Sequence, residues 1–572
     1  MAIELWTTHS LDKVFPETEK PPAASASISL KAARNETEDA QVVLRIPKGA
    51  EIAHASFRLP DLVGPQGRTI PKDHLSAAWI WYTYVLNNPP QNRDPSSYLR
   101  KAPAFFPDAF LEERTIAIRD EWTQPLWVSV NVPRGTPAGG YHGTLCLELL
   151  ARGGEKHLLE VPISVTVWPF ALPDEFHLHH TEWFWPEMLV RYYHLEPWSE
   201  EHWRWIEKVA TDMARHRQDM ILTPFSTLVR ITRTSSGRVS CDFSRLDRWV
   251  KTFRKAGVTW IEGSHVAGRV AGWQSDISWR RLPVHHANGR AVGTSREKLP
   301  DREFEPYLEQ FLKAIHAHLR RRGWAERYVQ HIADEPIPAN MPSWRCCAGK
   351  VRAWLPGVPI IDAVMSHGLE DLVDWPVPQI QHTGREVPRH PHQELWSYVC
   401  LAPQGQYPNR FLDYPSLRNR IIFWLSWSLG LKGFLHWGYN SWRAWQGVPV
   451  AVDISPWLDA SAGSIYCADR EPLPAGDPHI VYPGRSSICS SIRWEVIRKG
   501  MEDFEYLHLL EQAASVAGGR KRSAALTAAR KLLSRVRSEI APDPLGHTRD
   551  DRVLLSAREQ IGQLLAKLAG ED

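Results

Sequence analysis

The chain has 572 residues, more than one hydrophobic core usually supports, so two or three domains are expected. Its 68 Lys+Arg against 65 Asp+Glu leave a formal charge of +3, spread along the chain, which gives no reason to expect a nucleic acid or an anionic membrane as partner. The longest apolar run, residues 421–431 (IIFWLSWSLGL), is about half the ~20 residues that a membrane-spanning helix requires. Seven cysteines, an odd number that includes the adjacent Cys346-Cys347, form no disulfide framework, and the start shows no secretory signal pattern. A cytoplasmic protein is therefore expected. The 27 Trp and 15 Tyr suit carbohydrate clefts, because indole faces stack on sugar rings, but large cores absorb such residues equally well.

Residues 1–170 read as short extended runs separated by turn signals, among them Asp39–Ile46, Leu126–Val132, Thr144–Leu150 and Val161–Val167. Strands without intervening helices indicate a β-sandwich. Trp168–Pro173 then looks like a linker. From there the rhythm becomes strand, loop, helix. Candidate strands are His179–Trp185, Met220–Pro224, Trp260–His265, Tyr328–Asp334, Pro359–Val364, Gln379–Thr383, Leu395–Val399 and Gly433–Tyr439, with helices at 201–216, 305–321 and 417–429. Eight strands in this rhythm, with no dinucleotide-binding glycine motif after the first, predict a (β/α)8 TIM barrel over 173–515. A Pro-rich insertion runs to Ser490, and an amphipathic helix follows from Ile492. Residues 516–572 are expected to form a helical hairpin, its helices near 520–540 and 549–568, the second capped by Thr548. The basic residues of the first of these helices, Arg520 to Arg537, read as a solvated face. The expected fold is thus multidomain: an all-β sandwich, a TIM barrel and a C-terminal helical extension.

Barrel active sites lie where strands end. The residues at those positions are Glu182, Trp183 and Trp185; Glu262 and His265; Asp334 and Glu335; Asp362; His382; Trp396 and Tyr398; and Trp437, Tyr439 and Asn440. Carboxylates and aromatics dominate, as glycosidic hydrolysis requires: an acid to protonate the departing oxygen and a second group to stabilise or attack the anomeric carbon. Asp334-Glu335-Pro336 is the sharpest signal. Neighbours on a regular strand face opposite ways, so both carboxylates serve one site if the strand ends there, and Pro336 biases Glu335 toward an extended or turn conformation. Two close like charges also raise the proton affinity of one of them, which a general acid needs. His390, His392 and Glu394 form a competing metal-ligand pattern, but Pro388 and Pro391 make the segment irregular; no metal and no cofactor is expected.

Several motifs in order resemble the family 123 glycoside hydrolases and their wider relatives: Arg34-Asn35-Glu36 with Gln41, the strand WIEGSH, HIADEP, GFLHWGYNSW and the late SSIRWEVIRKGMEDFEYL segment. The resemblance implies a retaining β-N-acetylgalactosaminidase, or a closely related β-N-acetylhexosaminidase, that uses the substrate's own 2-acetamido group as nucleophile. It places the general acid at Glu335 and the carboxylate that orients the acetamido group at Asp334. Trp183, Trp185, Trp396 and Trp437 are candidates to wall the sugar, Tyr398 or Tyr439 to donate to the acetamido oxygen, and His265 and Asn440 to bind substrate. The expected partner is an oligosaccharide or glycoconjugate. Two other readings stand beside it: a conventional glycosidase with Glu182, Glu262 or Glu394 as nucleophile, and a glycan-binding protein without turnover.

Overall fold

The computed structural model describes residues 3–89, 91–92, 94–233, 238–286, 291–292, 301–365, 369, 371–384, 393–442, 455–461, 472–516 and 524–570. Two packed sheets form the N-terminal domain. One is five-stranded, in the order Glu4–His9, Glu36–Arg45, Thr123–Val132, Leu75–Val85, Ala104–Phe110. The other is built around the long pair Gly139–Ala151 and Lys156–Ala171, flanked by Ile28–Arg34 and Ile52–Arg58. Side chains of period two fill the space between them: Leu145, Leu147 and Leu149 face the same core as Val161, Ile163 and Val165. The sandwich reaches further than the sequence implied. Trp168-Pro169-Phe170, read as linker, continues the strand to Ala171, which pairs with Arg34.

After the sandwich come, among the described residues, eight short strands paired in parallel, here β1 (His179–Glu182), β2 (Met220–Thr223), β3 (Trp260–Gly263), β4 (Tyr328–Gln330), β5 (Ile361–Val364), β6 (Trp375–Pro378), β7 (Trp396–Tyr398) and β8 (Gly433–His436). They pair as three arcs, β2-β3-β4, β5-β6 and β7-β8-β1, with single bridges at Gln330–Ile360 and Gln379–Tyr398. The hydrogen-bonded sheet is therefore a curled half-barrel, which corrects the expectation of a closed (β/α)8 ring. Side chains explain the seams. At the β1–β2 seam His180 N–H bonds the Asp219 carboxylate at 2.9 Å, and past the end of β4 Ile332 and Ala333 N–H bond the Asp362 carboxylate at 3.1 Å each. An aromatic-rich core, with Trp375 stacked on Trp396 at 5.5 Å, fills the inside of the curl.

Helix Leu417–Leu429 is buried along its whole length, apolar from Ile421 to Leu425 and with Arg420 of its first turn paired to Asp503 at 2.6 Å. It packs against the long helix Ile492–Val516, where Gly500 is needed: a Cβ there would lie 2.3 Å from the Phe423 ring. The expected C-terminal hairpin consists of Ala524–Arg535 and Asp551–Gly570, the second packed on both Ile492–Val516 and the sandwich strand Lys156–Ala171. Asp550, not Thr548, caps that helix by accepting from Arg552 N–H at 2.9 Å. Arg520 to Arg522 of the basic stretch lie outside the described residues. Among the described residues, no helix is long and apolar enough to cross a membrane.

Sandwich and C-terminal half are joined by buried ion pairs. Arg498 reaches Asp39 at 2.6 Å and also bonds Glu495, Lys499 reaches Glu38 at 2.6 Å, and Arg493 holds Asp108 at 2.9 Å. Arg558 adds Glu36 and Glu38, and Tyr506 donates to Glu36 at 2.6 Å. The early Arg34-Asn35-Glu36 motif and the late WEVIRKGMEDFEY helix thus meet each other across the domain boundary.

Candidate active site

Asp334 and Glu335 follow β4 and lie side by side, both half-buried, in the segment where the strand leaves the sheet. Glu335 N–H still bonds Ala363 of β5 at 3.1 Å, which fixes the exit point. Of the extended and turn conformations that Pro336 favours, the Glu335 backbone takes neither the extended one nor a common turn angle but the left-handed region, with φ +47. That conformation costs a non-glycine residue about 1–2 kcal/mol. Arg269, from the hairpin Ala267–Arg269/Ile277–Trp279, grips both carbonyls, Asp334 O at 3.0 Å and Glu335 O at 2.6 Å. Arg269 is itself held over the Trp273 ring at 3.8 Å. Turning the backbone at Glu335 is what lets two sequence neighbours serve one site.

Their electrostatics differ. Burial, then the neighbouring Asp334 charge, push the Glu335 carboxyl up to about 7, and Tyr398 donates its hydroxyl to Glu335 Oε1. Asp334 is also raised, by burial and then by Asp362, but Arg269, His331 and Arg280 oppose the rise. No hydrogen bond to the Asp334 carboxylate occurs among the described residues, so it is free to accept one. The pair is arranged as a protonated acid beside an available acceptor.

Beneath it runs a buried polar chain. Asp362 accepts from Ile332 and Ala333 N–H and from Trp344 Nε1 at 3.1 Å; its Oδ1 meets His331 Nδ1 at 2.9 Å. His331 Nε2 meets Glu262 at 2.6 Å, and Glu262 accepts in addition from Trp183 Nε1 at 2.7 Å and Thr181 at 2.6 Å. Burial disfavours the His331 cation, yet the two flanking carboxylates push the imidazole up to about 9. His265 is driven the other way by burial and by the His331 charge, and is neutral. His265, His331 and Asp362 bring three ligand-type atoms within 4.8 Å of one another. A proton shared between His331 and Asp362 accounts for the shortest of these contacts, so the donor set fits a hydrogen-bonded chain better than a cation.

Residues 183–510 match the family model described as Glycoside hydrolase 123, catalytic domain, and residues 8–148 match the Glycoside hydrolase 123 N-terminal domain. The chain belongs to glycoside hydrolase family 123. Among solved structures, a family 123 glycoside hydrolase from Clostridium perfringens, studied for glycolipid glycan hydrolysis, is similar over 100% of this chain and 98% of its own, with TM-score 0.70 at 16% identity. A Bacteroides ovatus xyloglucanase of family 5 covers 84% of this chain and 99% of its own at 10% identity, with TM-score 0.28. No curated protein sequence matches the chain.

Within this family 123 fold, Tyr398 ends β7 on Glu335, and Trp183 and His265 line the chain beneath Asp334. Trp185 and Trp437 are tied together, the Trp185 indole donating to Trp437 O at 2.9 Å. Asn440 clasps the Trp185 backbone at 2.9 and 3.2 Å and is fully buried, which makes it a brace between the ends of β1 and β8. Two expected contacts point elsewhere. Trp396 starts β7 rather than ending near the carboxylates, and its fully buried ring lies in the core against Trp375. Tyr439 is fully buried and donates to Asp212 of helix Glu200–Arg215 at 2.7 Å, on the outer side of the sheet. His382 lies in a short 3-10 turn and meets Gln381 at 3.0 Å. His390 and His392 lie outside the described residues. Arg269, His331 and Trp344 are the participants that the strand-end positions do not include; His331 lies just past the end of β4, and its partners are far away in the chain.

Proposed function

We propose that the chain is a retaining, exo-acting β-N-acetylgalactosaminidase that works through the 2-acetamido group of its substrate. The observation that carries this reading is the fate of the other carboxylates. Glu182 is buried in an ion pair with Arg410, Glu262 accepts from three donors, and Glu394 precedes β7, beside His179 at the opposite end of the strands. With these committed, none of the three is placed to act, among the described residues, as the facing enzyme nucleophile at the ~5 Å separation that a conventional retaining glycosidase uses.

Glu335 gives its proton to the glycosidic oxygen as the bond to the anomeric carbon breaks, and the acetamido oxygen forms the new bond to that carbon. Asp334 accepts the acetamido N–H and balances the positive charge of the resulting oxazolinium ring. Water, deprotonated by Glu335, then opens the ring and restores the anomeric configuration. The steps need no metal or cofactor. The similarity to the Clostridium enzyme supports a glycan carried on an oligosaccharide or glycoconjugate as substrate. A panel of nitrophenyl β-glycosides tests the assignment: the N-acetyl-β-galactosaminide is cleaved and the matching β-galactoside is not. Equal rates on both would transfer the nucleophile to the enzyme, and no cleavage of any β-glycoside would leave a binding protein.

A further inference from the structure

The chain beneath the carboxylates has more hydrogen bonds than a strand terminus needs. Ile332 N–H, Ala333 N–H and Trp344 Nε1 all converge on the Asp362 carboxylate, and Trp344 Nε1 also bonds Ala333 O at 3.2 Å. These are the residues immediately before Asp334, so Asp362 holds the backbone from which Asp334 projects. His331 lies between Asp362 and Glu262, fully buried, with a carboxylate on each ring nitrogen. We infer that Asp362 and His331 are a positioning pair that aims Asp334 at the acetamido N–H and sets the charge it carries there; this rests on Asp334 being the carboxylate that orients the acetamido group.

The two members act on Asp334 in opposite senses. Asp362 is a like charge, which disfavours the Asp334 carboxylate, and the His331 imidazolium favours it. The other groups facing Asp334 are Arg269 and Arg280 from the neighbouring hairpin, Glu335 beside it, and neutral Tyr398 and Cys400 from the end of β7. Glu335, in contrast, responds chiefly to burial, Asp334, Tyr398 and Arg269.

The test compares pH profiles of kcat/KM. Asp334 must be ionised to work, so its titration forms the acidic limb, and protonated Glu335 forms the basic limb. Asp362→Asn removes a negative neighbour and moves the acidic limb down by about one pH unit; His331→Gln removes a positive one and moves it up by a similar amount. Glu262 still holds the His331 cation in the first variant, at 2.6 Å. The basic limb stays in place in both. A role in packing alone lowers both amplitudes and leaves the limbs where they were, which would overturn the inference. Glu262→Gln, which weakens the imidazolium from its far side, moves the limb upward and serves should His331→Gln fail to fold. Substrate-free titration of the Asp334 carboxyl by 13C NMR, assigned with Asp334→Asn, separates this inference from the function it rests on. Opposite shifts in that titration without matching kinetic shifts support the pair and refute the role of Asp334 in the reaction; no shift in either measurement refutes the pair.

Discussion

Glu335→Gln slows release of a sugar leaving group by about 10²–10⁴-fold, the usual worth of a positioned general acid, and slows release of a nitrophenol far less. The difference follows from the leaving groups, since phenolate departs with little protonic help and a sugar alkoxide does not. Glutamine keeps the shape, and it can still receive the Tyr398 hydroxyl, so the loss reports the proton. Asp334→Asn behaves differently. It removes the carboxylate that balances the oxazolinium charge, so both substrates slow by a similar factor, about 10²–10³-fold on the scale of one lost transition-state hydrogen-bonding group. Each loss is the ratio of wild-type to mutant kcat/KM on one substrate, and comparing the two substrates within one mutant cancels damage to folding common to both. Leaving-group dependence in Asp334→Asn and not in Glu335→Gln would exchange the two roles.

Arg498→Met destabilises the protein by about 3–5 kcal/mol, because it leaves Asp39 buried without its ion-pair partner, while Glu495 keeps His216 at 3.1 Å. Asp39 keeps the Ser129 hydroxyl at 2.6 Å, which satisfies one oxygen but carries no charge. The loss should appear in urea unfolding as early separation of the sandwich from the catalytic half, with a single transition splitting in two. Lys313→Met, which breaks an exposed helical pair with Glu309, changes stability by less than about 1 kcal/mol in the same assay. Equal effects of the two substitutions would mean that the buried pairs do not hold the domains together.

These expectations rest on features of unequal visibility in the sequence. The β-sandwich is legible because strands such as Thr144–Leu150 alternate cleanly, and the Asp334-Glu335 site is legible because two carboxylates before a proline stand at a strand end. Side-chain direction on the catalytic strands is not. These strands are three or four residues long, and a shift of one residue sends a side chain to the other face. That is why Trp396 and Tyr439, which look like sugar contacts in the sequence, belong to the core and to the outer helix layer. The support for Asp334 is also hidden: His331 finds its partners 31 and 69 residues away in the chain, and no local pattern announces them. A count of strands implies a closed ring, whereas the arcs meet only by single bridges at two seams, and at the β1–β2 seam the Asp219 carboxylate takes the His180 N–H. Arg34-Asn35-Glu36 and the late helix stand out in the sequence as matching motifs, although Glu36, Arg498 and Lys499 serve the domain boundary and not the chemistry.

The most direct test of substrate assistance is the rate on aryl N-acetyl-β-galactosaminides whose acetyl group carries zero, one, two or three fluorines. Fluorine withdraws electrons from the acetamido oxygen and leaves the glycosidic bond, the leaving group and Glu335 unchanged, so a nucleophilic acetamido group makes log kcat/KM fall steeply and in step with fluorination. A profile that stays flat across the four substrates would mean that the acetamido oxygen does not attack, and would contradict the role of Asp334 as the carboxylate that orients and stabilises it.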